Sequence, residues 1–497
     1  MAAIESGASD LDTLDDLARA ALAEGEEEAA LHLLIPAAEH AREPLLWRWA
    51  GLLQRSLDEH DVAIDSLERA AALAPDDPGI AHGRARVALE AGLDAVDLFL
   101  KARALAPSDS GVALGLAAAR NAVGEGELAA DELRALLERS PAWTEGHEQL
   151  AQLLSTLGQK EGATESLERA IARFPREPSL WATLFRIDLL REDYAALDRD
   201  IARAEAAGIP AFELAQHRAI VAAELASDVF PDALFKVAAP EMDHQLGVWR
   251  IRHLLRVGAV DKTLPLIDRE LASDRAWSIW PYASTAWRLA NDSRSAWLER
   301  DPRLVQVIDL TSALPPSDKL AETLRGLHVA KGEYVDQSVR GGTQTDGPLF
   351  SRIDPLIRQL RHAVVGAVAT YVAGLPDLDP RHPTLSHRRD RRIRFSGSWS
   401  VRLRGGGRHA NHVHPRGWIS SALYISLPPR VPADAEDAGW FTLGEPDGTL
   451  GIGLSPWRKI EPKTAHLVLF PSWMWHGTVP FSEGERLTVA FDVPPPI

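Results

Sequence analysis

Small apolar, large apolar and charged positions return along the first two hundred residues with a period near 34. Pro75, Pro107, Pro141 and Pro175 lie 32, 34 and 34 residues apart, and residue sizes repeat at fixed offsets before each of them. Ala63, Ala95, Ala129 and Ala163 hold one offset. Leu67, Phe99, Leu133 and Leu167 hold the offset one turn later. Ala70, Ala102 and Ala170 hold a third, where Leu136 breaks the set. The pattern predicts pairs of short antiparallel helices. Alanine lets two helices approach closely, the larger residue fills the space beside it, and Pro ends the second helix because it has no N–H to extend the ladder. Gly124 and Gly158 fall at the turns within a pair, and Trp47 and Gly51 fill the early positions of the first clear unit. Helical character continues from about Ala211 to Lys331, where Trp249, Trp277, Trp280, Trp287 and Trp297 read as core aromatics. The stretch GEYVDQSVRGGTQTDGPLF, residues 332–350, reads as a loop because of Gly341, Gly342 and Gly347. A helix is predicted next, from Asp354 to Val372, on the spacing of Leu356, Ile357, Leu360, Val364 and Val368.

From Ser396 the period becomes two. SWSVRL, ISSALYISL, GWFTL, HLVLF and LTVAFDV alternate or run apolar between Gly/Pro turns, which predicts short antiparallel strands in a sandwich or barrel. The Ala/Leu/Pro pattern over residues 43–210 resembles the tetratricopeptide (TPR) family. That resemblance implies a superhelix with a concave groove suited to a protein or peptide partner; a spacer or dimerisation scaffold is the alternative. The chain thus reads as an α+β multidomain protein, with an N-terminal all-α TPR superhelix (1–210), a helical connecting region continuing the solenoid (211–331) and a β domain (332–497).

Composition narrows the chemistry. There is no cysteine, so disulfides, cysteine–zinc sites, iron–sulfur clusters and thiol nucleophiles are excluded, and a metal must be held by His, Asp or Glu. No apolar run reaches the roughly 18–20 residues of a membrane span, and MAAIESGASDLDTLDD lacks the basic and apolar regions of a secretory signal. The expected location is cytoplasmic, without a membrane partner. A net charge of −17 argues against a nucleic-acid partner. Ten Arg and one Asp between Arg381 and Arg416 nevertheless make a local excess of +9, either a solvated surface or a patch that receives an anion.

The β region carries the candidate chemistry. His412 and His414 flank one residue in NHVHP, His476 follows His414 by 62 residues, and Arg486 follows His476 by ten. Two residues separated by one share a strand face, so His412 and His414 can reach a common point. Two close ligands and a distant third build a facial triad, whose open positions suit non-haem Fe(II). A co-substrate such as 2-oxoglutarate takes two of those positions and O2 the last. Its far carboxylate then needs a cation, ideally arginine, and Arg486 is placed for that, with Thr488 on the same strand face. Tyr424 is a candidate contact to 2-oxoglutarate or a packing residue. Gln344 and Thr345 either line a substrate entrance or form a turn. Arg402 and Arg404 are surface charges or attract the dianion. Trp418, Trp473 and Trp475 read as packing residues, and His409 as a neighbour outside the ligand set.

RGGTQTDGPLF, SGSWSVRL, NHVHPRGWISSALYISLP, FPSWMWHGTVPF and ERLTVAFDV together resemble the TPR-containing 2-oxoglutarate/Fe(II)-dependent oxygenases of bacteria. The resemblance covers about residues 332–497, and a TPR array in front is usual for the group. It implies a double-stranded β-helix (jelly-roll) oxygenase domain, Fe(II) at His412, His414 and His476, 2-oxoglutarate at Arg486, and a dioxygenase that hydroxylates a protein or peptide side chain presented with help from the TPR groove. One departure stands out. Many related oxygenases carry Asp in an HxD motif where this chain has His414. Either three histidines hold the metal, or His414 does not ligate and a two-histidine centre remains, as in some aspartyl/asparaginyl β-hydroxylases. Two other readings compete: a TPR adaptor with an inactive or purely structural barrel, and a cupin-like metal enzyme that does not use 2-oxoglutarate.

Overall fold

Helix spacing in the N-terminal array is set by residue size. Ala63, Ala70, Leu67 and Gly51 are fully or nearly fully buried where the helices Pro44–Ser56 and His60–Leu73 meet. A Cβ on Gly51 would lie 2.6 Å from Leu67 Cγ, so the large side chain at one offset fills the space the glycine leaves. Phe99 and Ala102 repeat the arrangement between Val96–Leu105 and the flanking helices. Asp77 and Asp109 cap the following helices by accepting from the amides of Ile80 and Val112 at 2.8 and 2.9 Å. The structure is a computed structural model that describes residues 10–225, 243–332 and 338–496. Among these, no helix is long and apolar enough to cross a membrane.

The described chain forms two compact units. The first joins the helical pairs up to Leu133 with a returning segment, Asp346–Val364, which includes the start of the helix Pro355–Gly374. That segment lies along the turns of the repeats. Ile353 N–H donates to Ala91 O at 3.1 Å, Arg358 pairs with Asp61 at 2.9 Å, and Arg361 approaches Asp58 at 3.7 Å. Gly92, at φ +79°, leaves room for the Arg352 side chain, which a Cβ there would strike.

The second unit comprises Arg134–Thr345 and Val365–Pro496. Its helices from Thr144–Thr156 to Val260–Leu271 continue the hairpin pattern around Leu167, Leu180, Trp181, Phe185 and Ile201. Within them Asp188 is buried beside Asp200; burial, reinforced by that second carboxylate, pushes the Asp188 carboxyl up to about 8. Trp280, Trp287 and Trp297 meet at centroid distances of 6.3–6.5 Å, in line with their reading as core. Trp277 differs: it is half-exposed, with the Arg416 guanidinium 4.7 Å over its ring.

The β part of this unit is a jelly roll. Its strands are β1 (Gln306–Asp309), β2 (Val339–Gln344), β3 (Gly397–His409), β4 (Ile419–Ser426), β5 (Phe441–Leu443), β6 (Arg458–Ile460), β7 (His466–Pro471), β8 (His476–Thr478) and β9 (Glu485–Val493). One antiparallel sheet runs β1-β7-β4-β9-β3-β2 and a smaller one β6-β5-β8. The smaller sheet is extended by an isolated bridge between His412 and His476, each N–H donating to the other's carbonyl at 3.0 Å. Two expectations change. Part of the glycine-containing loop is strand β2, because Gly341, at φ +70°, takes up a register shift and lets Gly342–Gln344 pair with β3; residues 333–337 of that stretch lie outside the described residues. Gln306–Asp309, read as helical, is an edge strand on β7.

Candidate active site

The larger sheet lays its functional residues in cross-strand rows. Gln344 pairs with Val401, Val401 with Thr488, and Thr488 with Tyr424. Along β9 the two-residue period puts Arg486, Thr488, Ala490 and Asp492 on one face, and Leu487, Val489 and Phe491 on the opposite, fully buried one. Arg486, Thr488 and Ala490 of the first face line a cavity of about 530 Å³ that also holds the three histidines. Trp399, Phe441 and Trp475 give it aromatic walls, and the Trp475 indole is fixed by donating to Pro281 O at 3.0 Å.

His412 and His414 were expected on a strand. They lie instead in the segment that leaves β3, and His476 opens β8. The bridge to His476 and a bond from His414 N–H to Ser472 O at 2.9 Å hold that segment, so convergence comes from pairing across the sheet edge rather than from strand alternation. Ring centroids are 4.1 Å apart for His412–His476, 5.0 Å for His412–His414 and 5.2 Å for His414–His476. One nitrogen from each ring lies within 4.8 Å of the other two.

Hydrogen bonds fix which nitrogens these are. His412 Nδ1 faces Ala410 O at 2.8 Å, His476 Nδ1 faces Met474 O at 3.0 Å, and His414 Nδ1 faces Asp492 Oδ2 at 2.5 Å. All three partners only accept, so each Nδ1 carries a proton and Nε2 is the nitrogen left to ligate in each neutral ring, with the Ser338 hydroxyl 3.2 Å from that of His412. Burial pulls His412 down to about 3, helped by His414, and takes His476 well below the usual imidazole range. Burial acts the same way on His414, but the Asp492 carboxylate outweighs it and raises that ring. Three convergent lone pairs of this kind fit a divalent cation.

Arg486 is buried. Its Nη1 donates to Gly439 O at 2.9 Å, its guanidinium carbon lies 4.9 Å over the Tyr424 ring, and its Nε has no partner among the described residues. The Tyr424 hydroxyl and Gln344 Oε1 are likewise buried without partners. Burial lowers Arg486 and raises Tyr424, each partly offset by the other. The unused donors of Arg486 and Tyr424 make a receptor for an anion with several acceptor oxygens.

The remaining candidates separate clearly. Thr488 and Gln344 line the cavity. Thr345 does not: its Oγ1 accepts from Ser400 N–H at 2.9 Å, a structural bond. Arg402 is engaged by Glu485, and Arg404 is exposed. Trp418 and Trp473 donate to Thr384 and pack. His409 stacks on His412 at 5.9 Å and meets it through the Ser338 hydroxyl, 3.2 Å from each ring. Sequence reasoning missed Asp492, although the alternation that selected Arg486 and Thr488 reaches it two steps on. It also missed Leu190 and Arg252, on helices, and Glu192, in the turn after Leu190, which complete the cavity wall and carry no local signal.

The fold and site define a jelly roll with a three-histidine cluster fit for a metal and a buried arginine in the same cavity. Residues 397–492 match the family model described as "Putative 2OG-Fe(II) oxygenase", a span that includes His412, His414, His476 and Arg486. No curated protein matches the chain. Among solved structures it is similar to MamA from Desulfovibrio magneticus RS-1 (18% identity, 32% of this chain and 93% of that one, TM-score 0.29). It is also similar to YrrB, a TPR protein with an unusual peptide-binding site (17%, 35% and 92%, TM-score 0.25). A Pseudomonas putida prolyl-4-hydroxylase is similar too (16%, 39% and 94%, TM-score 0.26).

Proposed function

We propose that the protein is a 2-oxoglutarate- and Fe(II)-dependent dioxygenase that hydroxylates a protein or peptide side chain. The observation that carries this reading is the meeting, in one cavity, of three imidazole lone pairs and a buried arginine with an unpaired donor. His412, His414 and His476 would hold Fe(II) through Nε2. Arg486 would bind the far carboxylate of 2-oxoglutarate, with Thr488 and Tyr424 giving hydroxyl hydrogen bonds. When bound, Fe(II) and 2-oxoglutarate supply the oxidising chemistry, in which O2 is consumed and 2-oxoglutarate leaves as succinate and CO2. The chain's own work is positional. The Nδ1 acceptors fix the rings so that all three lone pairs face one point. Trp399, Phe441 and Trp475 keep water from the cavity wall, which strengthens the charge-assisted bonds of Arg486. Leu190, Glu192 and Arg252, on the same wall, would lie beside any substrate segment that enters.

The test is succinate formation by the purified protein with Fe(II) and 2-oxoglutarate, paired with a 2-oxoglutarate binding assay. Metal-dependent binding and turnover in the wild type, both lost in His476→Ala, are expected. A protein that neither binds nor turns over 2-oxoglutarate is an adaptor or a different kind of metal enzyme.

A further inference from the structure

We propose that Asp492 supplies, through His414, the negative charge that the direct metal ligands lack; the proposal rests on reading the three-histidine cluster as a metal centre. Three neutral imidazoles leave a divalent ion with its full charge, and among the described residues no carboxylate converges with them. A carboxylate stands one hydrogen bond behind. Asp492 Oδ2 is 2.5 Å from His414 Nδ1, while Oδ1 takes the Ser420 hydroxyl at 2.5 Å. Because the carboxylate can only accept, the single Ser420 proton goes to it, and Ser420 is then the acceptor for Ser472 Oγ at 2.9 Å. The pairing of Ser420 opposite Asp492 in neighbouring strands builds this chain into the sheet.

The arrangement makes the three rings unequal. His412 and His476 lean on neutral carbonyls, His414 on an ion. A carboxylate drawing on the Nδ1 proton raises electron density at Nε2, so His414 donates more strongly to a metal than its two companions. Asp492 is a positioning residue in this scheme: it touches neither metal nor substrate, and it acts by orienting His414 and charging it.

Asp492→Asn separates the two roles, since the amide keeps the shape and an acceptor oxygen but loses the charge. With Co(II) as probe, binding by Asp492→Asn is expected to weaken about 10–100-fold, and the ligand-field absorption of bound Co(II) to shift, while the metal-free variant stays folded by circular dichroism. Ser420→Ala, which keeps the charge, should weaken Co(II) binding by less. Binding by Asp492→Asn within about threefold of wild type, with an unchanged spectrum, overturns the proposal while leaving the metal centre intact. A wild type that binds no Co(II) overturns both. Should Asp492→Asn not fold, nitrogen-15 spectra of the Zn(II)-loaded wild type decide: the His414 Nδ1 proton is expected well downfield of the other two, and three equivalent resonances would refute the idea.

Discussion

Leu67 and Arg486 are both sealed from water, and the contrast between them runs through the two regions they belong to. In the helical repeats of the first unit the buried side chains are mainly Ala, Leu and other apolar residues, with Glu27, Gln54, His60 and Ser66 as the polar exceptions. In the jelly roll the buried set includes His476, Arg486, Thr488 and Ser420, and several polar atoms, Arg486 Nε and the Tyr424 hydroxyl among them, lack partners among the described residues. The repeats use burial for cohesion. The jelly roll spends part of its burial on donors and acceptors whose satisfaction awaits a ligand, an arrangement that costs stability and creates a binding site.

Four measurements can break or sharpen that contrast. The largest effect is expected at His476. Replacing it by Ala should lower metal affinity and metal-dependent succinate formation by more than about 100-fold, measured by titration and turnover. Leu67→Ala should come next, destabilising the first unit by about 3 kcal/mol through the cavity it leaves, read by denaturant unfolding, with 2-oxoglutarate affinity unchanged at temperatures where the protein is folded. Arg486→Leu should do the reverse: 2-oxoglutarate affinity falls about 30-fold or more, while the ligand-free protein melts no lower, because a desolvated cation with an idle donor has gone. If Arg486→Leu instead destabilised the protein as Leu67→Ala does, the distinction between cohesive and poised burial would fail. The last measurement concerns Asp188. Its folded-state carboxyl titrates near 8, far above the ordinary value of 3.8, so its contribution to stability is complete below about pH 4 and is lost as pH rises through 8. Asp188→Asn should flatten stability against pH over that window in thermal melts.

What the sequence revealed follows from where its signals are local. The repeats were legible because each offset records a contact between helices a few residues apart, as at Gly51 and Leu67. The strands from Gly397 onward were legible because alternation is a property of the strand itself. His412 and His414 were rightly paired by spacing, yet the reason was different: a bridge to His476, 64 residues after His412, brings them round, and no local period encodes a sheet-edge bridge. Asp492 was within reach of the same alternation and was passed over because attention stopped at Arg486 and Thr488. Strand β2 was hidden by its glycines, which read as a loop until the bulge at Gly341 shows why they are tolerated. The cavity wall formed by Leu190, Glu192 and Arg252 depends on contacts some 200 residues long in sequence, beyond any local reading.

The strap Asp346–Val364, laid over the repeat turns, has a consequence for biosynthesis. The first unit lacks one of its pieces until about 210 further residues have left the ribosome, which at 5–20 residues per second is roughly 10–40 s. During that interval Ala91 and Asp61 await Ile353 and Arg358, so the leading helices emerge first and are completed late. A nascent chain halted before the strap should therefore expose those turns to protease, and one released beyond it should not.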